Sequence, residues 1–461
     1  MTQELAAVVL AAGQGTRMKS SRAKVLHAIA GQAMLFYPLQ AARRAGFEEI
    51  QVVVGHQAAE VRAAAAAAGV SFVEQSRQLG TGHALLCAAE ALSDFSGTLL
   101  LLCGDVPLLR AETLRKMLEI HRAEQAAVTV LTAERDNPAG YGRIVRNGAT
   151  VLRIVEEKDA DAEEKQLREI NTGTYLFDAR FVFAALRGVG RDNAQGEYYL
   201  TDVVAAAVAA GLPTRAVVLE DPDEALGIND LQQLAAATAL MRQRINAGLM
   251  RDGVTMLDPA TVYIDAGVEI GAGTLLHPNV MLRGKTSLGA DCVVETGVMI
   301  DDSRIADHVQ LKAGSIIEGA LIGDDCKIGP MAHLRPGTEL AGNNKLGNFV
   351  ETKKAVFGTG SQASHLTYVG DAEVGRGVNF GCGTITCNYD GVNKHKTIIE
   401  DDVFIGSDTQ FIAPVRIGRN SLIAAGSTIT RDVPADALAL SRCEQKVIAG
   451  WRRRKPKTSK D

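Results

Sequence analysis

A cluster of small and basic residues follows the first apolar run of the chain. Residues 10–18 read LAAGQGTRM, and Lys24 follows shortly after them. Gly13 allows backbone N–H groups to approach a phosphate closely, and Arg17 and Lys24 could neutralise its charge. The segment is not the dinucleotide fingerprint, because Met18 stands at its last glycine, and it is not a P-loop, because no Gly-Lys-Ser/Thr follows. It predicts a phosphate-binding loop of another kind, with a glycine turn and solvated cations as the alternative.

Two polar groups follow apolar runs in the same part of the chain. Asp105 lies in the sequence LLCGDVP, at the carboxyl end of a predicted buried strand, where open α/β sheets bind their ligands. A carboxylate there suits Mg²⁺, which takes few protein oxygens and shares substrate phosphates. Gln75, followed by Gly80 and Thr81, could offer an amide and backbone groups to both edges of a uracil ring. These residues predict a nucleotide site with a metal ion.

A second group of reactive residues lies far along the chain. Residues 352–366 contain Lys353 and His365, and residues 386–397 read TCNYDGVNKHKT. Both segments interrupt the repeat described below, and a regular solenoid gains nothing from an ejected polar loop. A lone histidine is more often structural or solvated, but the neighbouring Lys353 favours a functional role. We therefore expect chemistry here, with a decorative insertion as the alternative.

The elements that must position the first group alternate between strand and helix. Short apolar runs stand at residues 6–10, 50–54, 70–73, 98–103 and 127–132, separated by helical stretches at 38–45, 58–68, 82–92 and 112–123. This alternation is typical of βαβ units and predicts a mostly parallel, Rossmann-like sheet. From Asn229 the apolar residues fall on one face of a 3.6-residue period until Leu249, which predicts a long connecting helix over 229–252.

The rest of the chain repeats with a period of six. Each hexad predicts one flat face of a triangular prism, with its aliphatic side chain inside, and three faces make a coil of about 18 residues that stacks at ~4.8 Å on the next. The segment 352–366 is read as a departure from this register. The aliphatic positions include Ile264, Ile270, Leu276, Leu282, Leu288, Val294, Ile300, Ile305, Leu311, Ile317, Ile322, Ile328, Leu334, Leu340, Leu346, Val374, Phe380, Ile399, Ile405, Phe411, Ile417, Ile423 and Ile429.

Composition limits the other possibilities. The net charge is −5, which argues against nucleic acid as the main partner. No run of 18 apolar residues occurs, so no membrane span is predicted. The seven cysteines never form C-x-x-C, which favours reduced thiols, a cytoplasmic location and no zinc site. We expect a first domain at 1–228, the helix at 229–252, a β-helix at 253–442 and a basic tail at 443–461.

These motifs carry a family resemblance over nearly the whole chain. LAAGQGTRM, LGTG, LLCGDVP, YGR and INTG resemble the sugar-phosphate nucleotidyltransferases, and the hexads resemble the left-handed parallel β-helix of the hexapeptide-repeat family, whose members typically form trimers. The combination resembles the bifunctional UDP-N-acetylglucosamine pyrophosphorylase / glucosamine-1-phosphate N-acetyltransferase family. The fold class expected is an α/β nucleotidyltransferase domain joined by a long helix to a left-handed parallel β-helix.

The resemblance implies roles for residues of the first domain. UTP and N-acetylglucosamine-1-phosphate would be its substrates, with Mg²⁺ held by Asp105 and Asn229. Cys103 departs from the tyrosine that relatives often have before Gly-Asp. The nucleotide-sugar contacts implied are Leu10, Ala11, Ala12, Gly13, Arg17, Lys24, Gln75, Gly80, Thr81, Gly142, Glu156, Asn171 and Asn229.

The resemblance also implies an acetyl-transfer site in the β-helix. His365 would be the general base for the amine of glucosamine-1-phosphate, since a reference pKa near 6.5 suits that task. No side chain resembles an acyl-carrying nucleophile, so direct transfer is expected. The sugar-phosphate contacts implied are Arg335, Lys353, Tyr368 and Asn379, and the acetyl-CoA contacts are Cys382, Asn388, Tyr389, Ser407, Ala425 and Arg442, of which Cys382 replaces the usual alanine.

The function expected is therefore bifunctional. Acetyl-CoA would acetylate glucosamine-1-phosphate, and the product and UTP would give UDP-N-acetylglucosamine and pyrophosphate for peptidoglycan and lipopolysaccharide precursors. A homotrimer is expected, without nucleic-acid or membrane partners. The runner-up is a single-activity nucleotidyltransferase whose β-helix is only an oligomerisation scaffold, which would not need His365, Lys353 or the polar loop. A non-catalytic carbohydrate-binding assembly conflicts with Asp105 and Lys24 in a complete motif set.

Overall fold

The chain folds into two compact units. The computed structural model describes residues 4–451, and the division falls between Met241 and Arg242. Among the helices of these residues, none is both long and apolar enough to cross a membrane. The division lies inside the long helix rather than at either of its ends.

The first unit is built on a mixed sheet. Within the described residues its main path has the order β11-β7-β10-β6-β1-β4-β5, and the hairpin β8–β9 pairs with β10. The strands are β1 Leu5–Ala11, β2 Ala28–Ile29, β3 Gln32–Ala33, β4 Glu49–Val54, β5 Ser71–Glu74, β6 Thr98–Cys103, β7 Val128–Glu134, β8 Arg143–Asn147, β9 Thr150–Val155, β10 Glu169–Asp178 and β11 Thr214–Val218.

Strand direction brings the site segments to one edge of this sheet. Strands β1, β4, β5 and β6 pair in parallel, so their carboxyl ends share that edge. Strand β10 runs antiparallel between β6 and β7, which brings its first residues to the same edge. The predicted α/β sheet is confirmed, with β10 as the antiparallel strand of its main path.

Helices cover the sheet and bury its aliphatic residues. Runs such as β6, whose residues Leu99, Leu100, Leu101 and Leu102 are 0–1% exposed, are apolar throughout because both faces are covered. The helices are α1 Phe36–Arg44, α2 Ala58–Ala64, α3 Thr81–Cys87, α4 Ala111–Ala123, α5 Ala179–Leu186, α6 Asp202–Ala209 and α7 Leu231–Arg251.

Helix α7 confirms the predicted connecting helix. The carboxylate of Asp230 accepts a hydrogen bond from the backbone N–H of Gln233 at 2.8 Å, which stabilises the free N–H groups at the helix start. Near its end, Ile245 and Leu249 pack against the core of the second unit. At Asn246 the side-chain amide donates to the backbone oxygens of Pro259 and Val262 at 2.8 and 3.1 Å.

The second unit is a left-handed parallel β-helix. Leu282 pairs with Ile300, and Ile300 pairs with Ile317, so that these two coils contain 18 and 17 residues. The aliphatic hexad residues point inward and form one continuous buried core. The structure and the predicted period agree because one inward residue per face is what a stacked prism needs.

One face of the prism is an eleven-stranded parallel sheet within the described residues, and we call it the first face. Its strands are β12 Thr255–Met256, β15 Leu275–Leu276, β18 Val293–Val294, β21 Gln310–Leu311, β24 Lys327–Ile328, β27 Lys345–Asn348, β29 Gln362–His365, β31 Asn379–Phe380, β34 Phe404–Ile405, β37 Leu422–Ile423 and β39 Leu438–Ala439.

The other two faces share seventeen strands within the same residues. The second face contains β13 Tyr263–Ile264, β16 Met281–Arg283, β19 Met299–Asp301, β22 Ile316–Glu318, β25 His333–Leu334, β28 Glu351–Phe357, β30 Tyr368–Val374, β32 Ile385–Cys387, β35 Gln410–Ile412 and β38 Thr428–Ile429. The third contains β14 Glu269–Ile270, β17 Ser287–Leu288, β20 Arg304–Ile305, β23 Leu321–Ile322, β26 Glu339–Leu340, the ends of β28 and β30, β33 Thr397–Ile399 and β36 Val415–Ile417.

The predicted departure from register at residues 352–366 is wrong. Strand β28 pairs in parallel with β30 along its length, and Leu346 pairs with Ala363. Thr352, Phe357 and Ala363 occupy the inward positions and are fully buried. The aliphatic pattern is interrupted because a threonine, a phenylalanine and an alanine fill those positions, while the coil itself continues.

The polar loop is ejected from the prism as predicted. It leaves after β32 and returns at β33, and Thr386 and Thr397 are buried at its two ends. A bridge between Tyr389 and Lys394 closes it into a narrow turn. Its base lies at the corner between the second and third faces, which is also the corner of Lys353.

Candidate active sites

A buried cation joins two of the predicted site residues in the first unit. The ammonium of Lys24 lies 2.5 Å from Oδ2 of Asp105 and 2.8 Å from Oδ1 of Asn229. The side chains of Lys24 and Asp105 are only 12% and 25% exposed, so the pair is shielded from solvent on most sides. A carboxylate and an amide oxygen that are distant in sequence therefore converge on one point.

Backbone hydrogen bonds hold these groups in place. The N–H of Gly104, at the end of β6, donates to the carbonyl of Leu10 at 2.9 Å. The N–H of Ile228 donates to the carbonyl of Asp105 at 2.9 Å, and the N–H of Asn229 donates to Oε1 of Gln233 at 2.7 Å. Asp105 and Asn229 are thus fixed by the ends of β1 and β6 and by the start of α7.

The converging oxygens fit a magnesium ion. Mg²⁺ prefers hard oxygen ligands and keeps several positions for water and substrate phosphates, so two protein oxygens are enough. The ammonium of Lys24 already stands where a cation contacts both Asp105 and Asn229. Among the described residues no group of three or more His, Cys, Asp or Glu side chains forms a closed metal site.

The small-residue loop packs tightly against Lys24. Gly15 has a φ of 62°, and a Cβ there would lie 2.8 Å from the Cβ of Lys24, so only glycine fits without movement. Gly13 has open space around it, and Arg17 is exposed without an ion-pair partner among the described residues. The loop thus presents small backbone groups and one free cation, while Lys24 is already engaged.

Gln75 lies at the end of β5 with its amide held by protein groups. It is 3% exposed, and its backbone N–H donates to Val54 at 2.8 Å. Its Nε2 lies 3.1 Å from the carbonyl of Gly80 and 3.0 Å from Nδ1 of His83. Gln75 and Gly80 are therefore in contact, as predicted, and Thr81 begins helix α3 directly beside them.

Gly142, Glu156 and Asn171 form a third group in the first unit. The N–H of Asn171 donates to the carbonyl of Gly142 at 2.8 Å. A Cβ on Gly142 would lie 3.5 Å from both Cβ of Asn171 and Oε2 of Glu156, so the three residues enclose one small space. Burial raises the pKa of Glu156, against the hydrogen bond from Thr201. The predicted sugar contacts are thus brought together.

Cys103 lies beside this group but is chemically quiet. Its thiol is 3.7 Å from the carbonyl of Gly173. Burial, with the nearby charge of Asp105, raises the pKa of Cys103 to about 12. A thiol with that pKa is not a nucleophile near neutral pH, so Cys103 fills space at the end of β6.

In the second unit, basic side chains gather at the corner where the loop is ejected. Arg335 lies on the coil before Lys353, and Nη1 of Arg335 pairs with Oε1 of Glu351 at 2.8 Å. The like charge of Lys394, followed by that of Arg335 and with a smaller contribution from Lys354, lowers the pKa of Lys353. These cations outnumber the one carboxylate paired with them, so the corner is suited to an anion such as phosphate.

Lys394 was not among the predicted site residues. The cluster of basic residues KHK in the polar loop was a sequence signal, but the length of a loop does not determine which of its side chains approaches Lys353. In the structure the electrostatic effect of Lys394 on Lys353 is larger than that of Arg335, which shows that the loop returns to the corner.

His365 lies at the other corner of the second face. It ends β29, pairs with Asn348 of the previous coil, and is exposed. Its carbonyl accepts from the hydroxyl of Thr367 at 2.7 Å, which fixes the backbone of the turn. Tyr368 begins the next strand on the second face, and Asn379 lies on the first face. No direct contact joins His365 to Lys353, since they occupy different corners.

Four of the six predicted acetyl-CoA contacts form a column along the corner of His365. The N–H of Asp408 donates to the carbonyl of Cys382, and the N–H of Gly426 donates to the carbonyl of Ser407. Nη1 of Arg442 donates to the carbonyl of Ala425 at 3.0 Å. Cys382, Ser407, Ala425 and Arg442 thus follow one another on successive coils.

Asn388 and Tyr389 belong to the ejected loop instead. Nδ2 of Asn388 donates to Asp371 at 2.5 Å, and the Tyr389 hydroxyl donates to the carbonyl of Gly391 at 2.6 Å. Tyr389 remains 60% exposed. These two residues therefore stand at the opposite corner of the second face from the column.

Comparisons with known proteins agree with this two-unit organisation. Residues 7–171 match the MobA-like NTP transferase domain, residues 259–374 match the GMPPB C-terminal domain, and residues 396–431 match the bacterial transferase hexapeptide with six repeats. The protein named Bifunctional protein GlmU from Syntrophotalea carbinolica is 65% identical over 98% of this chain and 97% of its own. The chain belongs to the GlmU family.

Other GlmU proteins are similar over the same length. The one from Pelobacter propionicus is 56% identical over 99% of this chain and 100% of its own, and the one from Shouchella clausii is 48% identical over 95% and 96%. The predicted bifunctional enzyme with a nucleotidyltransferase domain and a hexapeptide transferase domain is confirmed. The alternative of a single activity on an inert scaffold is therefore set aside.

Proposed function

We propose that this GlmU enzyme acetylates glucosamine-1-phosphate with acetyl-CoA in the second unit. The first unit then transfers uridylyl from UTP to the resulting N-acetylglucosamine-1-phosphate with Mg²⁺. The products are UDP-N-acetylglucosamine and pyrophosphate, for peptidoglycan and lipopolysaccharide precursors. The observation that carries the proposal is the pair of unlike charge arrangements, Lys24 between Asp105 and Asn229 in one unit and the cations around Lys353 in the other.

Uridylyl transfer needs no general base. The phosphate oxygen of the sugar-1-phosphate is already an anion near pH 7, so the difficulty is to bring two anions together. Mg²⁺ held by Asp105 and Asn229 would supply charge neutralisation at the phosphates. In that state Lys24 is free to turn toward the phosphates with Arg17. The phosphate oxygen attacks the α-phosphorus, and pyrophosphate leaves with the bond electrons.

The remaining residues of the first unit bind the two organic groups. The backbone of Leu10, Ala11, Ala12 and Gly13 lies along the nucleotide. Gln75, Gly80 and Thr81 contact the uracil. Gly142, Glu156 and Asn171 contact the N-acetylglucosamine group, because they enclose one small space at the same edge of the sheet.

Acetyl transfer needs a base, and we assign that role to His365. The sugar phosphate binds the cations Arg335, Lys353 and Lys394, and its hydroxyls contact Tyr368 and Asn379. His365 takes a proton from the sugar ammonium, whose nitrogen then attacks the thioester carbonyl. The carbon–sulfur bond breaks, and the CoA thiolate leaves and takes up a proton. No acyl-enzyme forms in this sequence.

The column along the His365 corner supports the position of acetyl-CoA. Cys382, Ser407, Ala425 and Arg442 follow one another away from His365, so an extended pantetheine could lie along them with its acetyl group at His365. Asn388 and Tyr389 are the two proposed acetyl-CoA contacts that lie off this column, in the ejected loop. The seven cysteines are free thiols, which supports the proposed cytoplasmic location.

Exposed apolar residues support the proposed homotrimer. Met331, Phe349 and Leu366 follow one another at a prism corner and are 57%, 56% and 59% exposed. Each has a positive φ, which is uncommon for bulky residues, and the backbone N–H of Phe349 donates to the carbonyl of Met331 at 3.2 Å. Burial between copies of the chain would remove this apolar column from water. Light scattering of the full chain should give three times the chain mass, and a monomer would contradict the trimer.

An omission experiment tests the order of the two reactions. The full chain is incubated with glucosamine-1-phosphate, acetyl-CoA, UTP and Mg²⁺, and the products are identified by mass spectrometry. UDP-N-acetylglucosamine should form in the complete mixture. Without UTP the reaction should stop at N-acetylglucosamine-1-phosphate, and without acetyl-CoA no sugar nucleotide with an acetyl group should form. Accumulation of UDP-glucosamine in the complete mixture would contradict the proposed order.

A further inference from the structure

The imidazole of His83 contacts Gln75, the side chain that the proposed function assigns to recognition of the uracil ring. Nε2 of Gln75 lies 3.0 Å from Nδ1 of His83 and 3.1 Å from the carbonyl of Gly80. Burial lowers the pKa of His83 below 6.5, so its ring is neutral near pH 7 and Nδ1 can accept a hydrogen bond. In the tautomer with its proton on Nε2, His83 accepts at Nδ1, so both hydrogens of the Gln75 amide are donated to protein groups and Oε1 is left to face a ligand.

Several contacts fix the position of the His83 ring. His83 lies on helix α3 and stacks on Tyr198, with 6.2 Å between the ring centroids and 28° between the planes. The backbone N–H of Tyr198 donates to Leu79 at 2.8 Å, and its carbonyl accepts from Gly82 at 2.9 Å. A Cβ on Gly82 would lie 2.8 Å from that carbonyl. The segment with Tyr198 therefore holds the turn before α3 from both sides.

We infer that His83 is a positioning residue that selects the base by fixing the amide orientation of Gln75. The inference rests on the proposed uridylyl transfer and adds to it a residue that does not touch the substrate. When Oε1 of Gln75 faces the nucleobase, it accepts a hydrogen bond from a nucleobase that carries an N–H at the facing edge, as uracil does at N3. Cytosine presents a lone pair at N3, which a forward oxygen repels. Discrimination between these bases then depends on which end of the amide points outward.

Replacing the ring without removing its packing isolates this effect. His83→Phe keeps an aromatic ring against Tyr198 but has no acceptor, so the Gln75 amide can turn. We expect the KM for UTP to rise about tenfold with kcat within about twofold, and the preference for UTP over CTP to fall about tenfold. His83→Asn, which retains an acceptor oxygen, should recover part of the preference. The preference is a ratio, so it is measurable even if part of the protein is misfolded.

A double-mutant cycle separates positioning from general structural damage. If His83 acts through Gln75, then His83→Phe added to Gln75→Ala should lower kcat/KM for UTP no further than Gln75→Ala alone. Additive losses, or an unchanged preference for UTP over CTP in His83→Phe, would overturn the inference while the proposed function stands. If the unaltered enzyme itself shows no uridylyl transfer from UTP, the proposed function fails instead. The unaltered enzyme is therefore assayed before the variants.

Discussion

The two sites differ in how their charges are balanced. In the first unit Lys24 is matched by Asp105 and largely buried, while in the second unit Lys353 lies among cations that lower its pKa. A matched pair can exchange its internal cation for a metal ion when phosphates arrive. In an unmatched cluster of cations, the repulsion between like charges is reduced only when an anion binds. The first arrangement is therefore suited to metal-assisted transfer between phosphates, and the second to holding a phosphate while chemistry occurs elsewhere on the sugar.

Removal of the first carboxylate should give the largest effect. Asp105→Ala leaves one protein oxygen for the metal ion, so kcat for uridylyl transfer should fall by about 10³-fold, whereas acetyl transfer should stay unchanged. Stopped assays of pyrophosphate release and of CoA thiol release measure the two rates on one preparation. Asp94→Ala, an exposed acid elsewhere in this unit, is the matched control. A similar loss in both assays with folded protein would remove the contrast between the sites.

Loss of a cation from the second cluster should have a smaller effect. Lys353→Met should raise the KM for glucosamine-1-phosphate about 30-fold with a modest change in kcat, because a charge-assisted contact to the phosphate is lost. Initial rates at varied substrate concentration measure it. Lys345→Met, an exposed lysine on the first face, is the control and should change neither constant. If the two substitutions raised the KM equally, the lysines would act only through the electrostatic field of the protein as a whole and not through direct contact with the phosphate.

The pH dependence of N-acetylglucosamine-1-phosphate binding tests whether neighbouring cations lower the pKa of Lys353. The charged form of Lys353 is disfavoured, so its pKa lies below 10.5, and the lysine loses its charge as pH rises through that lowered value. Binding of N-acetylglucosamine-1-phosphate as an inhibitor should weaken over the same range. Lys394→Ala removes the largest cause of the shift and should move the weakening to higher pH, with about fivefold weaker binding at pH 7.5. A pH profile identical in the two proteins would contradict the assigned cause.

The sequence predicts the β-helix better than the site geometry, for a physical reason. The prism needs one inward residue per face, so the six-residue repeat occurs many times in the sequence. It remains recognisable although Thr352, Phe357 and Ala363 replace the aliphatic residue at three inward positions. The salt bridge of Lys24 with Asp105 depends on how the ends of two strands meet, which no local pattern records. The approach of Lys394 depends on the path of one loop. These were the contacts that sequence reasoning could not supply.

The central claim is that one chain contains two independent catalytic sites, and complementation tests it most directly. His365→Ala should abolish acetyl transfer and keep uridylyl transfer near normal, and Asp105→Ala should do the reverse. Neither variant alone should make UDP-N-acetylglucosamine from glucosamine-1-phosphate, acetyl-CoA and UTP. Mixed in equal amounts they should do so, because N-acetylglucosamine-1-phosphate diffuses from one protein to the other. A mixture that stays inactive, or either variant losing both reactions while folded, would contradict the account.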